Sequence, residues 1–337
     1  MKKFCILSID GGGLRGVVPL TVLQQVEIIS GKKIKDLFQL VAGTSTGGLL
    51  TSAINIKDPA DNSKPLYNVD DILEVYKERG KEIFPQRDSV TDKLFSYTHD
   101  LLEPKYGTAG IEKVLNDLLK DHRINDCFND IMVFSYDLNN NVPLIFKSRA
   151  SKEDNAKNAL LYDIARATSA GPTYLPSYKF SYPNNDELPE RNCIDGGVYI
   201  NNPTMGAFAE YLKYVNYYSP EIKNQDDIAY DEIFVLSLGT GSFASKIKDS
   251  DSSKGKLFWA SHISDIMMKG VSRVTDYEME EMLDKDTNYL RLNIDIDYEE
   301  YADMDNSSVD ATNYLIKQTN EMLKDKQQLL TNFLQSL

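Results

Sequence analysis

Residues 38–54 read FQLVAGTSTGGLLTSAI, and how this stretch folds decides the class of the whole chain. FQLVAG is a short apolar run suited to a parallel strand covered on both faces. TGGLLTSAI opens a helix, so Ser45 stands at a strand-to-helix joint with Gly43 and Gly47 two positions away on either side. Taken alone, G-x-S-x-G is a modest signal, expected by chance in about one chain in ten of this length at average glycine and serine usage. The joint raises its value, because a sharp turn from strand to helix is what exposes a serine oxygen. Thr44, Thr46 and Gly48 are small enough to leave room for it. Two readings stand on this motif: Ser45 is a nucleophile, or the glycines serve only a tight joint.

The segment before it has the same form. FCILSI (4–9) is an apolar strand, DGGGLRG (10–16) a turn, and VVPLTVLQQVEIIS (17–30) a helix with Pro19 in its first turn. Strands alternating with helices predict an α/β fold with a mostly parallel sheet. Residues 56–120 read as helices with polar loops. IMVFSYDL and VPLIFKS form a strand pair around NNN at 139–141. LLYDIARATSA (160–170) is a helix halted by Gly171-Pro172, NCIDGGVY (192–199) a strand running into a glycine turn, and IFVLSLGTGS (233–242) a further strand. From about 309 the chain reads as an amphipathic helix carrying Leu315, Leu323, Leu330 and Phe333.

Composition narrows the function. Hydrophobic residues at 42% and charged residues at 26% are those of an ordinary globular protein. No apolar run approaches the roughly 18 residues of a membrane span, and Asp10 cuts the first apolar run too short for a secretion signal. Cys5, Cys127 and Cys193 are far apart and form no CxxC pair, which points to a reducing, cytoplasmic compartment rather than a disulfide framework or a zinc site. A net charge of −14 argues against nucleic acid as a partner and against purely electrostatic docking on anionic lipid. The acidic stretches IDIDYEEYADMD (294–305) and DSDSSKG (249–255) lack the ligand order of a calcium loop and read as solvated loops. No metal or cofactor is expected.

DGGGLRG has two readings of its own. Gly11, Gly13 and Gly16 fit the dinucleotide-binding G-x-G-x-x-G, but that motif needs an acidic residue at the end of the second strand, where Val41, Ala42 and Gly43 stand instead. In the other reading, the two strands lie side by side through a right-handed crossover. The N–H groups of Gly11, Gly12 and Gly13 then face Ser45 at a helix N-terminus, an oxyanion hole made of main chain. Arg15 either adds positive charge there or pairs with a structural carboxylate.

A serine nucleophile needs a base. The order Ser45, Asp195, His262 matches that of α/β-hydrolases, yet that fold places several strands before its serine and here there is one. His262 lies in LFWASHISDIMMKGVSRV (257–274), where Ile263, Ile266, Met267, Gly270 and Val271 mark the core face of a helix. His99 and His122 sit in polar surroundings. Asp195 ends an apolar strand and is followed by Gly196 and Gly197, so it is either a base placed under another loop or an ordinary Asp-Gly turn. Phe258 and Trp259, beside Lys254 and Lys256, form either a contact with a lipid surface or the start of a packed helix.

Together these motifs resemble those of the patatin-like phospholipases: DGGGLRG near the start, GTSTG about thirty residues on, and DGG far downstream, with SAGPTYLPSY (169–178) before the aspartate and VLSLGTGS (235–242) after it. The resemblance covers roughly residues 4–275, and DGG stands where many members have DGA. It implies an α/β/α sandwich that hydrolyses acyl esters of lipids without a metal. It also implies a serine–aspartate dyad, with Ser45 as nucleophile, Asp195 as base and the glycine loop as oxyanion hole. The expected organisation is a catalytic domain over 1–300 and a C-terminal helical extension over 301–337 that matches none of these motifs. The expected partner is a phospholipid or a membrane surface, met without an integral span. The sequence assigns no activating ligand or protein partner.

Overall fold

Strand β1 (Phe4–Ile9) shows how the layers arise. Successive side chains of a strand point to opposite faces, and every residue of FCILSI is buried. Cys5, Leu7 and Ile9 join one hydrophobic cluster, while Phe4 and Ile6 join another on the far side of the sheet. A strand apolar on both faces must be covered on both, and the result is a three-layer α/β/α sandwich. The computed structural model describes residues 3–85, 103–182, 188–244 and 255–337.

The remaining main strands are β2 (Leu40–Thr44), β3 (Asp130–Asp137), β4 (Val142–Lys147), β5 (Tyr178–Phe180), β6 (Arg191–Asp195), β7 (Ile233–Leu238) and β8 (Tyr289–Leu292). Their order is β8-β7-β1-β2-β3-β6-β5, with β4 also paired to β3. From β8 to β3 every pairing is parallel; β4, β6 and β5 are antiparallel additions.

The two faces carry different helices. One is covered by α1 (Val17–Ser30), α2 (Thr46–Ala53), α3 (Val69–Ile83), α4 (Ala109–Leu119) and α5 (Leu161–Thr168). The other is covered by α6 (Thr204–Lys213) and α7 (Lys256–Met282). Helix α1 stops where Gly31 takes φ +64, the left-handed conformation that ends helices, and donates its N–H to the Glu27 carbonyl. The C-terminal stretch forms two helices, α8 (Val309–Asp325) and α9 (Gln327–Gln335), and Ser308 caps the first by accepting the Ala311 N–H. Leu315, Leu323, Leu330 and Phe333 enter the same cluster as α1, and the Phe333 ring meets Phe234 of β7 edge-on. No described helix is long and apolar enough to cross a membrane, and the three cysteines are buried and unpaired.

Pairing on β3 positions the site. Strand β2 runs beside β3 until Thr44 stands opposite Phe134, and β6 begins its pairing at the next residue, with Asp195 opposite Ser135. Because β4 occupies the other edge of β3 over Met132–Asp137, β2 and β6 share a single edge end to end. They run in opposite directions, so their carboxyl ends meet. Ser45 follows one end and Asp195 is the other.

Three expectations need correction. The stretch 56–120 is not only helix and loop, since Lys57–Asp58 pairs with Asp61–Pro65 as a small hairpin. The acidic stretch 294–305 is not a solvated loop: Ile294, Ile296 and Asp305 are buried, and Asp295–Ile296 pairs with Ser242–Phe243. In α7 the expected core face is turned outward, with Ile263 at 47%, Ile266 at 39% and Met267 at 47% exposure. The inward face carries Ser272, Thr275, Asp276 and Met279, because what it packs on is polar: Asn201 reaches Ser272, and Asn202 and Tyr289 donate to Asp276.

Candidate active site

Ser45 adopts φ 54 and ψ −124, a conformation that non-glycine residues rarely take. Its flanks explain how the turn is held. A Cβ on Gly43 would lie 2.1 Å from the Gly47 carbonyl oxygen, and one on Gly47 would lie 2.1 Å from the Ile9 carbonyl oxygen of β1. The turn is pressed against the neighbouring strand, and only glycine fits at either place. The Ser45 N–H donates to Thr168 Oγ1 at 2.9 Å, and Thr44 Oγ1 donates to the Ile200 carbonyl at 2.7 Å.

Asp195 is buried beside it. Its N–H donates to the Ala170 carbonyl at 3.0 Å, and its Oδ1 accepts the Gly197 N–H at 2.7 Å. Gly196 lies so close to Phe134 that a Cβ would come within 2.4 Å of that carbonyl oxygen. Burial pushes the Asp195 carboxyl up to about 6; hydrogen bonds from the Ser45 side chain and the Gly197 N–H pull the other way without cancelling it. The elbow serine and the raised carboxyl thus stand at one place, the meeting carboxyl ends of β2 and β6. Both line one cavity, whose lining also includes Gly12, Gly13 and Asn201 and the apolar Phe84, Leu175 and Met304.

The glycine loop reaches the same cavity, with one correction. The Gly11 N–H is engaged by the Asn201 carbonyl at 3.1 Å and so faces away from any oxyanion. No described residue accepts the N–H of Gly12 or Gly13. Gly12 rests on Thr240, whose Oγ1 would be 2.2 Å from an added Cβ and which donates to the Gly11 carbonyl at 2.7 Å. Gly13 takes φ +58 against the Met304 carbonyl. The guanidinium of Arg15 holds backbone, with Nη1 donating to the Ala302 carbonyl at 3.0 Å and Nε to the Gly12 carbonyl at 3.4 Å. Arg15 therefore clamps the loop instead of lining the cavity.

Two contributors were invisible to sequence reasoning. Arg291, on β8, grips Asp10 with both terminal nitrogens, at 2.9 and 2.6 Å, just before the glycine loop. It lies in a strand the sequence reading did not recognise, so nothing marked it. Asn201 links the glycine loop to α7; the NN pair after DGGVYI was its one available signal. Of the histidines, His122 does not line the cavity, and its backbone pairs with Leu119 and Leu161. His99, Lys254, DSDSSK (249–254) and the side chains of Lys256, Phe258, Trp259 and His262 lie outside the described residues. Among the described residues no group of three or more His, Cys, Asp or Glu side chains is placed to hold a metal ion.

The sequence profile of one family, Patatin-like phospholipase, matches residues 7–208. Patatin-like protein 2 of Oryza sativa subsp. indica is 33% identical over 97% of this chain and 85% of its own length. Patatin-like protein 2 of Arabidopsis thaliana is 31% identical over 95% of this chain and 82% of its own length. A relative from Solanum tuberosum, 30% identical over 85% of this chain and 77% of its own length, carries the name Probable inactive patatin-3-Kuras 1.

Proposed function

The chain belongs to the patatin-like phospholipase family, whose activity is lipid acyl hydrolysis, and from that premise we propose that it is an active phospholipase A-type serine esterase. One observation carries the reading: Ser45, strained at a glycine-bound elbow, lines the same cavity as a buried Asp195 that burial raises to about 6. A carboxylate of that basicity is a better proton acceptor at neutral pH than a solvated one. Ser45 Oγ attacks the ester carbonyl while Asp195 takes its proton, and the oxyanion is received by the N–H groups of Gly12 and Gly13. Collapse returns the proton to the departing alcohol and leaves an acyl-enzyme. Asp195 then takes a proton from the attacking water and passes it to Ser45 Oγ as the acyl–oxygen bond breaks, releasing the fatty acid and restoring both groups. No step draws on a metal.

The name of the potato relative says that membership alone does not make an active enzyme, so the alternative is an idle storage or binding protein. The complete elbow, the raised aspartate and the unengaged glycine N–H groups favour activity. Buried, unpaired cysteines fit a cytoplasmic enzyme acting at membrane surfaces. The test is the release of fatty acid from defined phosphatidylcholine in excess EDTA. Wild type is expected to turn over and Ser45→Ala to fall to background. An inert wild type, or activity restored only by calcium, contradicts the proposal.

A further inference from the structure

The segment that crosses the glycine loop comes from far along the chain. The Met304 carbonyl accepts the Leu14 N–H at 2.8 Å and the Ala302 carbonyl accepts from Arg15, so residues 302–305 form a strap over the loop. Asp305 pins it. This buried carboxylate accepts from Lys105 Nζ at 2.5 Å and from the Tyr106 hydroxyl at 2.8 Å. The backbone of the same two residues holds the opposite wall, with Lys105 N–H donating to Thr173 and Tyr106 N–H to Tyr174 at 2.8 and 2.9 Å. Ser307 Oγ donates to the Phe84 carbonyl at 2.8 Å, and the Phe84 ring meets Tyr106 edge-on. Strap, Phe84 and the 173–175 wall are thus tied through Lys105 and Tyr106, which Asp305 joins to the strap.

What they enclose is apolar. Phe84, Tyr174, Leu175 and Met304 line the cavity together with Ser45 and Asp195. We propose that Phe84, Tyr174, Leu175 and Met304 form the acyl-chain subsite, with the Met304 side chain setting the length of chain accepted and Asp305 as the positioning residue that holds the strap closed. This deepens the proposed hydrolase reading and rests on it. Met304 suits the task because its thioether chain is flexible enough to follow an alkyl chain, while its backbone is fixed to Leu14.

The experiment measures kcat/KM for p-nitrophenyl esters from C4 to C16 with wild type, Met304→Ala and Met304→Trp, each checked for folding by circular dichroism. Each buried methylene contributes about fourfold (about 0.8 kcal/mol). A tryptophan that excludes two methylenes lowers the C12-to-C4 ratio by roughly 15-fold, and alanine moves the optimum toward longer chains. Asp305→Ala lowers kcat at every length, and Asp305→Glu recovers part of the loss. A second readout needs no turnover: thermal stabilisation of Ser45→Ala by free fatty acids of the same lengths, with and without Met304→Trp. A chain-length limit that moves with residue 304 supports the subsite even if the wild type proves inert, which sinks the hydrolase reading alone. A length profile unmoved by either Met304 variant, in an enzyme that turns over, overturns the subsite and leaves the hydrolase reading standing.

Discussion

Replacing Asp195 by Asn should make the protein more stable, and by an amount that depends on pH. The Asn side chain keeps an oxygen for the Gly197 N–H, so the native contact at 2.7 Å survives, while the ionisable group is gone. In the folded wild type the carboxyl is raised from 3.8 to about 6, chiefly by burial. A carboxyl raised on folding holds its proton more tightly in the native state. Its ionisation therefore costs nothing below pH 3.8, costs progressively more between there and about 6, and reaches its full value above that. At 1.36 kcal/mol per unit, a shift of about two units amounts to about 3 kcal/mol at pH 8 and less than about 1 kcal/mol at pH 4. For a large domain this is roughly 6 °C in midpoint at pH 8, taking about 2 °C per kcal/mol. The assay is paired thermal or urea unfolding of wild type and Asp195→Asn at the two pH values. A stability difference that is the same at both, or that favours wild type at pH 8, refutes the reasoning that Asp195 is strained by burial toward the role of a base.

Other perturbations address the frame of the site. Arg291→Met leaves Asp10 buried without its bidentate partner and should cost about 3–5 kcal/mol in chemical denaturation; a loss under 1 kcal/mol would show that the pair is dispensable. Gly47→Ala drives a Cβ to 2.1 Å from the Ile9 carbonyl oxygen, so soluble yield and ester turnover should fall together, and a fully active variant would contradict the tight elbow. With a net charge of −14, added salt should stimulate hydrolysis of anionic vesicles and leave zwitterionic ones unchanged, an expectation that an equal response on both would defeat.

Much of this was legible in the sequence for physical reasons. Apolar strands followed by glycine turns and helices allow few arrangements, and GTSTG at a joint is compatible with little besides a strained elbow. The approach of Ser45 to Asp195 was not legible from residues alone, because it depends on β2 and β6 meeting along one edge of β3, a strand that lies between them in the chain. Counting glycines could not tell which N–H groups are free, since that depends on what accepts each one, and the Asn201 carbonyl takes that of Gly11. The strap escaped notice because a buried aspartate and a solvated one are the same letter: Asp305 is drawn inside by Lys105 and Tyr106, some 200 residues away in sequence. Helix α7 misled for the opposite reason. Its inward face carries Ser272 and Asp276, which meet Asn201, Asn202 and Tyr289, while Ile263, Ile266 and Met267 lie outside.

The claim that Asp195 activates Ser45 is tested most directly by the rate of covalent labelling with a fluorophosphonate ester, read by peptide mapping in wild type and in Asp195→Asn. The account predicts one adduct, on Ser45, formed at a rate that rises with pH through a midpoint near 6. It also predicts labelling slower by a factor on the order of 10²–10⁴ in Asp195→Asn, the usual worth of a general base. An adduct on another residue, or labelling of Ser45 in Asp195→Asn at the wild-type rate, would contradict it.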